Sequence, residues 1–255
     1  MPSSPTPPHS NASGSGPLPR PTTVSEMRRR LAAVQERIDA AARGAGRDPR
    51  EVRLLPVSKT HPADTLLVAQ EAGVSWFGEN KVQEAQAKAA DPRLASAQWS
   101  LIGHLQTNKA KFVADFATEF QALDSLRVAQ ELNKRLAARQ RTLRVLVQVN
   151  TSQEEQKFGV APQAAAQLVD QVLELPNLEL TGLMTVAVHS PDQSQVAGCF
   201  DRLVRLQDQL ASRAEPGQLR ELSMGMSGDF ELAIAHGSTC VRIGQSIFGA
   251  RDYQR

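Results

Sequence analysis

The feature that most constrains this chain is an alternation repeated eight times. A short apolar run closes on a polar end, and a stretch with apolar residues at helical spacing follows. The runs lie at Val52 to Val57, Val74 to Phe77, Trp99 to Ile102, Phe120 to Leu123, Leu143 to Val149, Leu178 to Met184, Leu222 to Met226 and Val241 to Phe248. Apolar runs this short, bounded by breakers, read as strands buried on both faces, as in a parallel sheet. Between them Val128, Leu132 and Leu136, then Leu168, Val169 and Val172, then Val196, Phe200, Leu203 and Leu210 recur with the period of an amphipathic helix. Eight such units match a closed (β/α)8 barrel, which needs about 250 residues in its typical form, and that is the predicted fold class. An open doubly wound sheet is the alternative that the pattern leaves.

A leading helix is predicted from Thr23, where Glu26 three residues on completes a capping box. Met27, Leu31, Val34 and Ile38 follow at helical spacing until Gly44 and Gly46. Residues 1–22 are rich in Pro, Ser and Gly and hold no apolar stretch, so they read as a disordered tail ahead of one barrel domain over 23–255. The tail lacks the apolar core of a secretory signal and the Arg-rich pattern of a transit peptide. No later window approaches a membrane span, so a cytoplasmic protein is expected.

With 29 Lys and Arg against 27 Asp and Glu, scattered rather than gathered in blocks, neither nucleic acid nor an anionic membrane is expected as a partner. Cys199 and Cys240 are far apart, fit no metal-ligand spacing and read as small core residues.

In a barrel or an open parallel sheet the chemistry belongs at the carboxyl ends of the strands. Those ends read Ser58-Lys59-Thr60, Gly78-Glu79-Asn80, Gly103-His104-Leu105-Gln106, Asp124-Ser125, Asn150-Thr151-Ser152, Met184-Thr185, Ser223 to Gly228, and Arg242 to Ser246. The last two are glycine-rich where barrels commonly seat a phosphate on backbone N–H groups, which points to a phosphorylated ligand. Lys59 directly follows an apolar strand, where partial desolvation would lower its pKa toward the range useful for imine formation. Lys157, in the loop after the fifth strand, competes with it. Lys81, Lys88, Lys109, Lys111 and Lys134 read as helix-surface charges.

Five motifs, in order and at matching intervals, carry a resemblance to a known family. They are Leu55 to Thr60, Phe77 to Asn80 with Val82-Gln83-Glu84, Ile102 to Gln106 with Asn108-Lys109, Ser223 to Ser227, and Val241 to Gly244 with Ile247 to Tyr253. From about Val24 to Tyr253 the chain closely resembles the pyridoxal phosphate homeostasis protein family. The resemblance implies an alanine-racemase-like barrel in which Lys59 carries pyridoxal 5'-phosphate as a Schiff base. It maps the phosphate pocket to Ser223, Ser227, Gly244 and Gln245, sets Arg242 against the pyridine nitrogen and puts Asn80 near the ring. Gly228 stands where an acidic residue is expected and Gln245 where a threonine is commoner, so phosphate contacts there are expected from backbone rather than side chains. An arginine opposite the pyridine nitrogen leaves that nitrogen unprotonated and weakens the ring as an electron sink.

Two function classes follow. One is a cofactor-binding protein, not an enzyme, that buffers or delivers pyridoxal phosphate, expected as a monomer with cofactor-dependent apoenzymes as possible further partners. The other is an amino-acid racemase or related enzyme on the same barrel. The racemases this barrel resembles carry an additional β domain and a second base, usually a tyrosine. Here the chain runs out soon after the last apolar run, and the single tyrosine is Tyr253, leaving His104 or Cys240 as substitutes. The binding reading is therefore preferred.

Overall fold

A computed structural model describes residues 18–250. Most of the expected tail and the end of the last motif, Tyr253 included, lie outside the described residues. Within the part of the tail that is described, Pro21 is buried, and the Leu18 carbonyl accepts from the Ala250 N–H at 2.7 Å. The approach to the domain is therefore already seated against the last helix before Thr23.

Helix α1 (Val24–Gly44) begins where expected, with the Thr23 hydroxyl accepting from the Glu26 N–H at 3.2 Å. Only half of the capping box forms, because the Glu26 carboxylate turns to Arg30 one helical turn on. The alternation then runs β1 (Arg53–Pro56), α2 (Ala63–Glu71), β2 (Trp76–Glu79), α3 (Val82–Ala89), β3 (Gln98–Leu101), α4 (Ala110–Phe116), β4 (Glu119–Leu123), α5 (Leu126–Ala137) and β5 (Leu143–Gln148). It continues through α6 (Pro162–Leu173), β6 (Leu178–Met184), α7 (Gln193–Leu210), β7 (Pro216–Leu219), β8 (Glu221–Met226), α8 (Phe230–Ala235), β9 (Cys240–Ile243) and α9 (Gln245–Phe248). Most strand boundaries shift by one or two residues from the apolar runs, and two differences are larger. The last apolar run is a strand only to Ile243, because Gly244 turns the chain into α9, and β7 is an extra short strand outside the main sheet.

Eight strands form one sheet in the order β1-β9-β8-β6-β5-β4-β3-β2, all neighbours parallel. The two ends of that order meet through a parallel bridge between Val57 and Gly78, with the Ser58 N–H donating to the Gly78 carbonyl at 3.0 Å. The ring is closed there, as the predicted (β/α)8 barrel requires. Apolar side chains between the ring and its helices form the core. In one part of it Phe77 and Trp99, both nearly inaccessible, meet at 5.6 Å between ring centroids beneath Ile38 and Leu66. Burying each such side chain contributes about 1.5–3 kcal/mol. Among the described residues no helix is long and apolar enough to cross a membrane.

The barrel interior is polar in part, which the apolar runs did not announce. Arg53 bonds Glu119 at 2.8 Å and also Glu221, and Glu221 accepts from Arg144 at 3.2 Å. Ser100 donates to Glu119, Gln121 donates to Glu119 at 2.6 Å, and Ser223 donates to Gln121 at 2.7 Å. These side chains come from β1, β3, β4, β5 and β8, so they meet only inside the ring. Most of these groups satisfy one another, which makes their burial tolerable, while Arg53 Nη1 has no hydrogen-bond partner.

Candidate functional site

At the carboxyl ends of the strands lies a cavity of about 950 Å³, within the range of small-molecule and cofactor sites. Six of the seven residues singled out from sequence line it: Lys59, Asn80, Ser227, Arg242, Gly244 and Gln245. Val57 and Ile102 supply apolar wall. The wall opposite comes from the loop after β6, with Val186, Val188, His189, Ser190 and Pro191. Sequence reasoning took only Met184-Thr185 from that end and missed the loop. Its signal was the length of chain between the apolar run and the Asp192 helix cap, where a barrel needs few residues for a simple turn.

The seventh residue, Ser223, does not line the cavity. It is fully buried in β8, where its hydroxyl donates to Gln121 and accepts from Arg242 Nη1 at 2.7 Å. The expected pocket position is thus one layer deeper than the cavity floor. Arg242 is itself nearly inaccessible, and its Nη2 donates to the Thr185 carbonyl at 2.8 Å. Burial pushes the Arg242 guanidinium below its ordinary pKa, though an arginine stays charged. Two strands and the loop after β6 therefore fix where this cation sits.

Lys59 follows β1 in a turn in which Thr60 adopts φ of 68°, a left-handed conformation uncommon for a residue with a branched side chain. The turn is held from α3. Lys88 Nζ donates to the Ser58 carbonyl at 2.9 Å and pairs with Glu79 and Glu84, while Glu84 accepts from the Thr60 N–H. Ser58 also donates to Glu79 at 2.6 Å. Lys88, read from sequence as a helix-surface charge, is instead buried, because Val82, Ala85 and Lys88 share the inward face of α3 and Glu79 awaits it there. Burial pushes the Glu79 carboxyl above the usual carboxylate range, against the pull of Lys88.

The competing lysine is placed elsewhere. Lys157 donates to the Ala187 carbonyl at 3.0 Å, pairs with Glu154, and does not line the cavity. Neither substitute base lines it either. Cys240 lies buried in β9 with its thiol raised to about 11 by burial, and His104 stacks on Phe158 at 4.1 Å while its Nδ1 meets Asp124 at 3.0 Å.

The site fits an anionic ligand on its own evidence. Two cations, Lys59 and Arg242, face the cavity, while its carboxylates are engaged elsewhere: Asp229 accepts from the Met226 N–H at 2.6 Å and Glu231 pairs with Arg37. The N–H groups of Gln245 and Ser246 precede the first bonds of α9, which Ile247 and Phe248 donate to the Gly244 carbonyl at 3.0 and 2.9 Å. A Cβ on Gly244 would stand 2.8 Å from the Val57 carbonyl, so only glycine lets the end of β9 come this close to the strand that carries Lys59. Gly228, by contrast, has open space where its Cβ would be. The arrangement brings backbone donors after β9 and the lysine after β1 to one cavity.

Comparison with known proteins agrees with the fold. The alanine racemase N-terminal domain family matches residues 30–252. The pyridoxal phosphate homeostasis protein of Vibrio cholerae is 41% identical over 237 residues, covering 91% of this chain and 99% of the relative. PipY of Synechococcus elongatus, solved with pyridoxal phosphate bound, superposes with a TM-score of 0.76 at 31% identity, covering 88% of this chain and all of that one. Alanine racemase of Clostridium difficile, at 13% identity and a TM-score of 0.73, shares the fold over 95% of this chain and 61% of its own length.

Proposed function

Because the chain belongs to the pyridoxal phosphate homeostasis protein family, we propose that it binds pyridoxal 5'-phosphate and takes part in intracellular homeostasis of that cofactor. The observation that carries the reading is the convergence of Lys59, Asn80, Ser227, Arg242, Gly244 and Gln245 on one cavity. The bound group supplies an aldehyde, which condenses with a primary amine with loss of one water. Lys59 is the amine at the cavity and holds the cofactor covalently. Lys59 sits in the turn whose flanking peptides bond Lys88 and Glu84 of α3.

The phosphate lies against the backbone of Ser227, Gly228, Gly244 and Gln245, where glycine allows close approach and amides precede a helix. Asn80 flanks the ring. Arg242, held by Ser223 and Thr185, presents a fixed cation to the pyridine nitrogen and so keeps that nitrogen an acceptor. A site of this electronic character suits holding a cofactor better than driving carbanion chemistry with it. On this reading the protein is a monomeric cytoplasmic reservoir that buffers the cofactor or passes it to apoenzymes, not an amino-acid racemase. Support for that choice comes from the V. cholerae relative, named for homeostasis and matched over nearly its whole length, and from the seats of His104 and Cys240 away from the cavity.

The test is to incubate the purified protein with pyridoxal phosphate, reduce with borohydride and locate the modified residue by mass spectrometry. Modification at Lys59, with no saturable turnover of alanine or serine above free cofactor, is the expected result. Racemisation at a saturable rate would reverse the choice of function.

A further inference from the structure

The peptide groups on both sides of Lys59 are anchored to one pair of residues on one helix. Lys88 Nζ donates to the carbonyl of the Ser58–Lys59 peptide at 2.9 Å, and Glu84 accepts from the N–H of the Lys59–Thr60 peptide. The two anchors are one turn apart on α3 and bonded to each other at 2.8 Å. Between them Thr60 is held at φ 68°, which a threonine avoids when free. None of the three residues lines the cavity.

We propose that Glu84 and Lys88 are positioning residues that clamp the turn after β1 and thereby aim the Lys59 amine into the cavity. The inference rests on the reading of Lys59 as the residue that holds the cofactor. Glu84 acts through the Thr60 N–H: its carboxylate stabilises a left-handed turn that the chain would otherwise relax by rotating the Lys59–Thr60 peptide. Lys88 acts through the Ser58 carbonyl, and Glu79, bonded to both Ser58 and Lys88, gives that ammonium a further partner inside the fold.

If Glu84 works by holding Thr60 in this conformation, a residue that adopts positive φ freely makes Glu84 dispensable. Glycine is that residue. The experiment measures the Kd for pyridoxal phosphate and the melting temperature without ligand, for the unmutated protein and for Glu84→Ala, Glu84→Gln and the double variant Thr60→Gly with Glu84→Ala. Borohydride-trapped adducts are located in each. Glu84→Ala is expected to weaken binding about tenfold, Glu84→Gln less because it keeps an oxygen acceptor, and the double variant is expected to regain most of the loss. If binding in Glu84→Ala is unchanged, or its loss tracks the drop in melting temperature and Thr60→Gly does not restore it, Glu84 supports only the fold and the inference fails. An adduct on another lysine in the unmutated protein overturns the reading of Lys59 and this inference with it, whereas an adduct on Lys59 together with either failing result overturns the inference alone.

Discussion

Arg242 Nη1 donates to the Ser223 hydroxyl at 2.7 Å, and that hydroxyl donates onward to Gln121 at the same distance. The serine is saturated by the protein's own groups and holds an arginine still. Ser223→Ala strands a guanidinium N–H and an amide oxygen inside the barrel, so we expect a loss of about 1–3 kcal/mol in unfolding free energy. Denaturant titration measures it. The effect of this variant falls on stability first, because Ser223 does not line the cavity.

Lys59→Ala is expected to remove the near-visible absorbance of the lysine-bound cofactor while far-ultraviolet circular dichroism stays unchanged. Lys157→Ala keeps the band, since Lys157 is spent on Glu154 and the Ala187 carbonyl outside the cavity. The reverse pattern in the two spectra would move the attachment site.

Ligand linkage predicts that pyridoxal phosphate raises the melting temperature, by an increment corresponding to roughly 2.7 kcal/mol at a hundredfold excess over Kd. Pyridoxal, which lacks the phosphate, gives up charge-assisted bonds worth about 1.5–3 kcal/mol each and shifts the melting temperature far less. Gly228→Leu is chosen to separate the two ligands, because a Cβ there meets no heavy atom within 4 Å and Gly228 lines the cavity. It should shrink the advantage of the phosphorylated ligand and leave the unliganded melting temperature nearly unchanged. Gly244→Ala instead presses on the Val57 carbonyl and lowers that melting temperature. Equal thermal shifts from the two ligands on the unmutated protein would place the phosphate elsewhere.

The Cys240 thiol, raised from 9.0 to about 11 by burial, predicts an alkaline signature. The folded state binds this proton more tightly than the unfolded chain. Its contribution to stability is therefore whole below pH 9 and is lost as pH climbs through 11, by about 2 kcal/mol at the upper end. Cys240→Ala should lose less stability than the unmutated protein between those pH values. Parallel curves of unfolding free energy against pH for the two proteins would contradict this.

Much of the barrel was legible because a parallel strand covered on both faces leaves a short apolar run, and all eight runs become strands of the ring. What was illegible is instructive. The run from Val241 to Phe248 concealed a strand, a glycine bend and a turn of helix, since hydrophobicity reports burial and both elements are buried. Glu119 and Glu221 sat beside apolar runs and Gln121 inside one, with no signal that they bond within the ring, because partners such as Arg53 and Ser223 lie far away in sequence. Lys88 shared the helical phase of Val82 and Ala85 but was taken as exposed on charge alone. Its carboxylate partner, Glu79, stood at a strand end already noted. At the site, residues with sequence-local signals were found, whereas the wall after β6 and the depth of Ser223 depend on how distant strands stack.

The ring closes through the fewest connections between β1 and β2, a bridge from Val57 to Gly78 and the bond from the Ser58 N–H. The next residue is Lys59. The barrel's clasp and the proposed cofactor anchor are therefore adjacent links of one chain, and tension on either reaches the other through a single peptide. The seven remaining joins of the sheet are made elsewhere, so the proposed anchor sits on the join that the fewest backbone ties hold.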